Sequence, residues 1–156
     1  MKTKNVRRTV YFLTLTGIIF WISLVFFAPF LKNHSSEYSH LFYSIFSPIC
    51  HQIKSRSFYA FGYPLSVCAR CLGIYTGFLL GTIIYPFING FSSFRLPKRM
   101  YFFIFSIPIL ADAAGNILNI WNSCNIIRLI IGMVWGIILP FYFIYGITEA
   151  IINKSN

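Results

Sequence analysis

Acidic residues are nearly absent from this chain, which has only 3 Asp and Glu among its 156 residues. Charged residues of both signs make up 10% of the sequence, whereas soluble domains carry about 25%. So few charges cannot cover the surface of an ordinary soluble domain, and the 57% hydrophobic content excludes a disordered chain. The scarcity of carboxylates leaves no pair for acid–base catalysis. The composition therefore indicates an integral membrane protein.

Basic residues are more numerous, and they give the chain a net charge of +10. They lie at the ends of apolar segments, however, and form no continuous basic stripe. This distribution argues against nucleic-acid binding, which needs basic residues gathered along one face. The sequence also contains no phosphate-binding glycine loop and no Ser/His/Asp arrangement.

Four segments are long and apolar enough for membrane-spanning helices, which need about 20 mostly apolar residues. They cover residues 9–31, 67–88, 100–120 and 126–151. The sequence thus predicts an all-α membrane protein with one polytopic domain over 1–156 and an outer loop at 32–66. Within that loop, residues 37–49 are aromatic-rich and too short to span, which predicts an interfacial helix that ends at Pro48.

Lysine and arginine are divided unequally between the two sides of these spans. Eight lie in the N-terminal segment, the loop between spans two and three, and the C-terminal tail, whereas five lie in the other loops and span ends. By the positive-inside rule, the side with eight is cytoplasmic. We therefore expect a multi-pass protein of the cell (inner) membrane with both termini in the cytoplasm.

All four cysteines lie on or near the predicted outer side. Cys50 is in the outer loop, Cys68 and Cys71 begin span two, and Cys124 lies between spans three and four. A Cys-x-x-Cys on one helical turn suits tetrahedral zinc, and Cys50-His51 would complete the site from the loop. The leading hypothesis is a zinc site with Cys50, His51, Cys68 and Cys71 as ligands. The metal would either hold the loop in place or keep an open position that activates water.

Two other roles for the cysteines stay open. Cys-x-x-Cys at a helix N-terminus, beside Arg70, favours thiolate and suits a membrane thiol–disulfide oxidoreductase in which Cys68 and Cys71 cycle. Cys50 or Cys124 would then be the exchange partner. The arrangement resembles the bacterial disulfide-oxidase membrane proteins that reduce quinone, although their second cysteine pair is missing here. In the third interpretation, the cysteines form a structural disulfide or only pack.

Ionisable residues inside the predicted spans are costly and are usually functional. Asp112 and Asn116 share one face of span three, and Arg128 lies at similar depth in span four. Arg128 is therefore the simplest ion-pair partner for Asp112. Arg56 and Arg70 reach the same layer, and arginine forks suit phosphate or carboxylate. These five residues are the candidates for catalysis or for binding an anionic lipid or isoprenoid-phosphate ligand.

Glycines recur at every fourth position on two of the predicted spans. They are Gly73, Gly77 and Gly81 on span two, and Gly132 and Gly136 on span four. Small residues at this spacing allow close approach between helices in a bilayer. We expect these faces to contact a neighbouring helix in this chain, in a homodimer, or in a larger membrane complex with this protein as a non-enzymatic accessory subunit.

Several of these residues together resemble the pattern of a known family. They are Cys50-His51-Gln52, Arg56-Ser57-Phe58 and Cys68-Ala69-Arg70-Cys71-Leu72-Gly73-Ile74-Tyr75-Thr76-Gly77, then Asp112, Asn116, Asn125, Arg128, Gly132 and Gly136. The pattern is similar to a family of small prokaryotic membrane proteins catalogued only as a domain of unknown function. The resemblance implies a polytopic membrane protein that carries these motif residues, and it implies no activity, substrate or cofactor.

Overall fold

The computed structural model describes residues 2–34, 36–90 and 98–154. Within these ranges the helices are α1 (Lys2–His34), α2 (Ser36–Phe46), α3 (Ala69–Asn89), α4 (Arg99–Ile117) and α5 (Asn125–Lys154). A 3-10 turn at Lys54–Arg56 and two short strands, β1 (Tyr59–Ala60) and β2 (Tyr63–Pro64), lie between α2 and α3.

Four of the helices are long and apolar enough to cross a membrane, which confirms the predicted all-α membrane fold. The candidate spans are Lys4–Lys32, Ala69–Asn89, Arg99–Ile117 and Asn125–Lys154. Each overlaps a predicted span over most of its length. On α4, large apolar side chains such as Phe103, Ile107 and Leu110 are exposed along one side. A helix with such a face is suited to contact with lipid tails, because its backbone hydrogen bonds are satisfied internally.

Helices α3 and α5 form the most extensive helix pair among the described residues, because glycines line their contact. A Cβ added at Gly77 would collide with the backbone of Met133, and one at Gly132 would collide with the carbonyl oxygen of Arg70. The other glycines of the two predicted faces meet the opposite helix in the same way. The prediction of close contact is confirmed, and the neighbour is a helix of the same chain.

The predicted interfacial helix is present as α2, which packs against α1. Tyr38, Leu41 and Ile45 are exposed along one side of α2. Phe46, at its end, is completely buried in contact with Trp21 of α1. An amphipathic helix of this kind is suited to the boundary between lipid and water.

The aromatic segment that follows forms a hairpin, which the sequence did not predict. Its two turn residues, Phe61 and Gly62, have φ angles of 54° and 80°. Two-residue hairpin turns of type I′ need positive φ at both central positions, and a phenylalanine rarely adopts it. The hydroxyl of Tyr43 donates to the carbonyl oxygen of Pro64, so that α2 holds the hairpin in place.

A buried apolar cluster joins the outer loop to α1 and α3. Its members are Val25, Phe46, Cys50, Leu65, Val67 and Leu72. The hydroxyl of Ser66 donates to the carbonyl oxygen of Val25 at 3.2 Å, which ties the end of the loop to α1. This packing carries Cys50 to the N-terminus of α3.

Candidate metal and anion site

Three cysteines meet at the N-terminus of α3 and form what we call the sulfur cluster: Cys50, Cys68 and Cys71. Their Sγ atoms all lie within 4.8 Å of one another. The Sγ atoms of Cys68 and Cys71 are 3.5 Å apart, and the backbone N–H of Cys68 donates to Cys50 Sγ at 3.1 Å. All three cysteines are free, so the cluster presents three thiol groups to one point.

Local backbone structure explains how the cluster forms. Cys68 is the extended residue that precedes α3, and Cys71 lies three residues later, so both side chains emerge on the same side of the first turn. Cys50 follows a turn after α2, in which its N–H donates to the carbonyl oxygen of Phe46 at 2.9 Å. The unpaired N–H groups of a helix N-terminus favour negative charge on nearby sulfur.

Contacts among the thiols give them unequal acidity. The pKa of Cys68 lies far below its usual value, because hydrogen bonds with the Cys50 and Cys71 thiols stabilise its thiolate. The pKa of Cys50 is raised, first by its hydrogen bond with Cys68 and then by burial. The lowered pKa favours the thiolate form of Cys68, which is the form in which cysteine acts as a nucleophile or a metal ligand.

Asp112 pairs with Arg70, and the prediction of an ion pair with Arg128 is wrong. Its carboxylate accepts hydrogen bonds from Arg70 on α3 and from the Ser123 hydroxyl, and the side chain is 4% exposed. Arg70 of α3 therefore lies beside Asp112 of α4, whereas Arg128 of α5 donates to Asn116 Oδ1 at 2.6 Å. Asn116 lies one turn further along α4. It accepts a hydrogen bond from the Arg128 guanidinium, the group that was predicted to pair with Asp112.

Two asparagines orient the Arg128 guanidinium. Asn116 accepts from Nη2, and Asn125 Oδ1 accepts from Nη1 at 3.5 Å. Asn116 also donates to the backbone carbonyl oxygen of Asp112 at 2.7 Å, which links the two charged residues. The Nε atoms of Arg70 and Arg128 are buried and have no hydrogen-bond partner within the described part of the chain.

A cavity of about 370 Å³ lies between the start of α3, the loop after Cys50 and the end of α4. We call it the arginine cavity. It is lined by eight of the nine predicted site residues: Cys50, His51, Arg56, Cys68, Arg70, Cys71, Asn116 and Arg128. Asp112, the ninth, is held by its ion pair with Arg70. The structure therefore gathers the candidates from the outer loop and three spans around one space.

His51 and Cys124 lie apart from the sulfur cluster. His51 lines the arginine cavity, but its side chain is exposed and its imidazole is not part of the cluster. Cys124 is exposed and lines a second cavity of about 560 Å³, which shares Arg56 and Arg128 with the first.

Sequence reasoning assigned no role to two polar residues that support the site, although the family pattern includes Gln52. Ser123 donates a hydrogen bond to Asp112. The sequence feature that could have pointed to Ser123 is its position just before span four, whose first turn carries a charged residue. Gln52 has a φ of 49°, and its Nε2 donates to the carbonyl oxygen of Tyr43 at 2.6 Å. The glutamine thus shapes the backbone directly after Cys50 and His51, and no spacing rule for metal ligands would have found it.

Residues 50–142 match the family described as "Predicted membrane protein (DUF2085)". The chain belongs to this family. It is 38% identical over 143 residues to an uncharacterized protein of Methanocaldococcus jannaschii, and the match covers 88% of this chain and 91% of that protein. All nine candidate residues lie inside the DUF2085 segment, which agrees with the resemblance that their pattern indicated. No solved structure matches the chain.

Proposed function

We propose that this membrane protein binds one zinc ion through Cys50, Cys68 and Cys71. The observation that carries the proposal is the convergence of three Sγ atoms within 4.8 Å. Tetrahedral zinc with Zn–S bonds of about 2.3 Å needs sulfurs about 3.8 Å apart. The 3.5 Å between Cys68 and Cys71 is close to that separation, so only small side-chain movements would be needed to bind the ion.

The electrostatic surroundings also favour anionic sulfur. A backbone N–H points at Cys50 Sγ, and the start of α3 lies beside Cys68 and Cys71. Three thiolates in such a small space repel one another strongly unless a cation lies between them. Zinc would supply that cation, and its binding would release the thiol protons.

Three protein ligands leave a fourth zinc position, which we place toward the arginine cavity. Catalytic zinc sites have this pattern, whereas structural sites are closed by four protein ligands. His51 is the fourth ligand that the sequence predicted, and its imidazole would have to turn into the cavity to bind. If the position stays open, the metal would activate water or hold an oxygen of an anionic, lipid-like ligand oriented by the arginines.

We place the site at the extracytoplasmic face, with both termini in the cytoplasm. The support is the unequal distribution of lysine and arginine between the two ends of the spans. A membrane-impermeant maleimide should label exposed Cys124 in intact cells. It should fail to label a Cys124→Ser, Lys98→Cys variant until the cells are opened. The reverse pattern would show that the protein has the opposite orientation.

Metal content per chain tests the zinc proposal directly. Protein purified without chelator and under reducing conditions should contain about one zinc per chain by mass spectrometry. Cys68→Ser and Cys71→Ser should lose it, whereas the matched control Cys124→Ser should keep it. His51→Ala should keep zinc if the fourth position is open and should lose it if His51 is a ligand. Metal-free wild-type protein would refute the proposal.

Thiol–disulfide exchange is the second candidate function, and the 3.5 Å between the Cys68 and Cys71 sulfurs favours it. In this reaction the two thiols form a disulfide and pass two electrons and two protons to a quinone, which becomes a quinol. A substrate thiolate would then attack the Cys68–Cys71 disulfide with the Cys68 thiolate as leaving group, and the second substrate thiol would complete the substrate disulfide and restore the dithiol. Metal-free protein that reduces a soluble ubiquinone analogue, and loses this activity in Cys71→Ser, would support this candidate over zinc binding.

A further inference from the structure

We infer that the arginine cavity binds a phosphate monoester group, as the headgroup of a lipid or as free phosphate. The inference rests on the proposed function for the location of the site, and it names the class of the anionic ligand. Its argument comes from the arginines and from the apolar residues beside them.

The cavity carries more positive charge than its described anionic side chains neutralise. Arg70 is balanced by Asp112, which forms the ion pair of this region. Arg56 and Arg128 line the arginine cavity and its neighbour, and no described carboxylate lines either space. A zinc ion with three thiolates has a net charge of −1, so the site stays positive when the metal is bound.

The Arg128 guanidinium is already held in place for a ligand. Arg128 is 5% exposed, its two Nη atoms are occupied by asparagines, and its Nε has no partner within the described ranges. Burying a charged group with an unpaired hydrogen-bond donor away from water costs free energy, and a bound anion would offset that cost. Arg56 shares both cavities with it, so two guanidinium groups flank one space. Two such forks suit a phosphate, which offers more acceptor oxygens than a carboxylate.

Apolar residues complete the lining on one side of the arginine cavity. Ile49, Ile53 and Ile117 belong to the lining and are exposed. Ile117 lies at the end of the membrane-spanning helix α4, where a bound molecule could extend its acyl chains into the bilayer. Arginine beside exposed isoleucine matches an amphiphile, whose phosphate enters the cavity while its chains stay in lipid.

Lipid binding to the full-length protein tests the inference. The purified protein is placed in phosphatidylcholine nanodiscs that contain either phosphatidic acid, a phosphate monoester, or phosphatidylglycerol, a diester. Native mass spectrometry then measures the bound lipid, and a parallel titration uses inorganic phosphate. We expect phosphatidic acid to bind about tenfold more tightly than phosphatidylglycerol, since its monoester phosphate offers one more free oxygen to the guanidinium groups and one charged hydrogen bond changes affinity about tenfold.

Variants distinguish a specific phosphate site from the general attraction of anionic lipids to a basic surface. Arg56→Gln should weaken phosphatidic acid binding about tenfold, and Arg128→Lys should also weaken it because the charge stays but the fork is lost. Lys54→Gln, which removes an exposed charge two residues from Arg56, should change nothing. Equal binding of the two lipids combined with no Arg56-dependent binding of inorganic phosphate, or an equal loss in Lys54→Gln and Arg56→Gln, would overturn the inference.

Two further outcomes show whether the phosphate comes from a lipid or from solution, and whether the protein binds zinc. If inorganic phosphate binds in an Arg56-dependent manner and phosphatidic acid binds no better than phosphatidylglycerol, the cavity recognises phosphate but takes it from solution. Zinc is measured in the same samples. Arg56-dependent phosphate binding without zinc would refute the metal site alone, whereas zinc without binding of either phosphate probe would overturn this inference alone.

Discussion

Asp112→Ala would remove the one carboxylate that the described structure places in the polar network. It would leave Arg70 without its ion-pair partner and would remove the acceptor for Ser123. Removing one partner of a buried ion pair costs about 3–5 kcal/mol. Because the Arg70 side chain is 22% exposed, water still solvates part of its charge. We therefore expect the free energy of unfolding to fall by about 3 kcal/mol, the lower end of that range.

Asp112→Asn removes the negative charge but keeps part of the hydrogen bonding, so it distinguishes these two contributions to stability. The amide oxygen can replace the carboxylate oxygen that accepts from Arg70, while the amide NH2 replaces the oxygen that accepts from Ser123, whose hydroxyl can turn to accept instead. We therefore expect a loss of only about 1–2 kcal/mol, because the hydrogen bond to the charged guanidinium is retained. Glu149→Gln is the matched control, since it removes an exposed carboxylate from α5. Surface substitutions of this kind change stability by about 0.5 kcal/mol or less.

The assay is unfolding of the purified protein in mixed micelles by increasing dodecyl sulfate, followed by tryptophan fluorescence. The expected order of stability is wild type and Glu149→Gln, then Asp112→Asn, then Asp112→Ala. Single hydrogen bonds between membrane helices contribute about 0.6 kcal/mol on average. A loss no larger than that in Asp112→Ala, or equal losses in both Asp112 variants, would refute the argument that the buried charge pair stabilises the fold.

Three other predictions follow from the packing and the thiols. Gly132→Ala should destabilise the same protein by about 1–3 kcal/mol because its Cβ meets the backbone of α3. Gly17→Ala, in open space, should be neutral or stabilising by up to about 1 kcal/mol; equal effects would contradict the close helix contact. In zinc-loaded protein, maleimide should label only Cys124, as counted by mass spectrometry. After a chelator removes the metal, three more cysteines should become labelled. Four labelled cysteines before chelation would count against bound metal. Tyr43→Phe should cost about 1 kcal/mol and speed hydrogen exchange in the hairpin, whereas exposed Tyr38→Phe should do neither.

The spans and the clustering of the cysteines toward one end were predictable from the sequence. A helix must be about 20 apolar residues long to cross the hydrocarbon, so its length and composition are visible in a single segment. The Cys-x-x-Cys geometry was equally local, because Cys68 and Cys71 lie within one turn of one helix. Cys50 joined them as predicted, although only the apolar packing of the outer loop shows how it is held there.

The partner of each buried charge could not be read from the sequence. Depth in the bilayer suggested Arg128 for Asp112, but Arg70 and Arg128 lie at similar depth, and the choice depends on helix rotation. The hairpin was missed because Phe61 occupies a turn position that normally carries glycine or asparagine. His51 was grouped with Cys50 by adjacency, yet the backbone turn leaves one side chain exposed and the other buried.

The sequence by itself determined that this protein is a four-helix membrane protein with glycine contact faces and a polar layer near one end. Those features follow from hydrophobic length and helical period, which act along a single segment. Only the tertiary structure decided that the glycine faces of α3 and α5 meet each other, and that Arg70 rather than Arg128 neutralises Asp112. That pairing depends on distances of a few ångströms between helices far apart in the chain, and it leaves Arg56 and Arg128 without a carboxylate partner among the described residues.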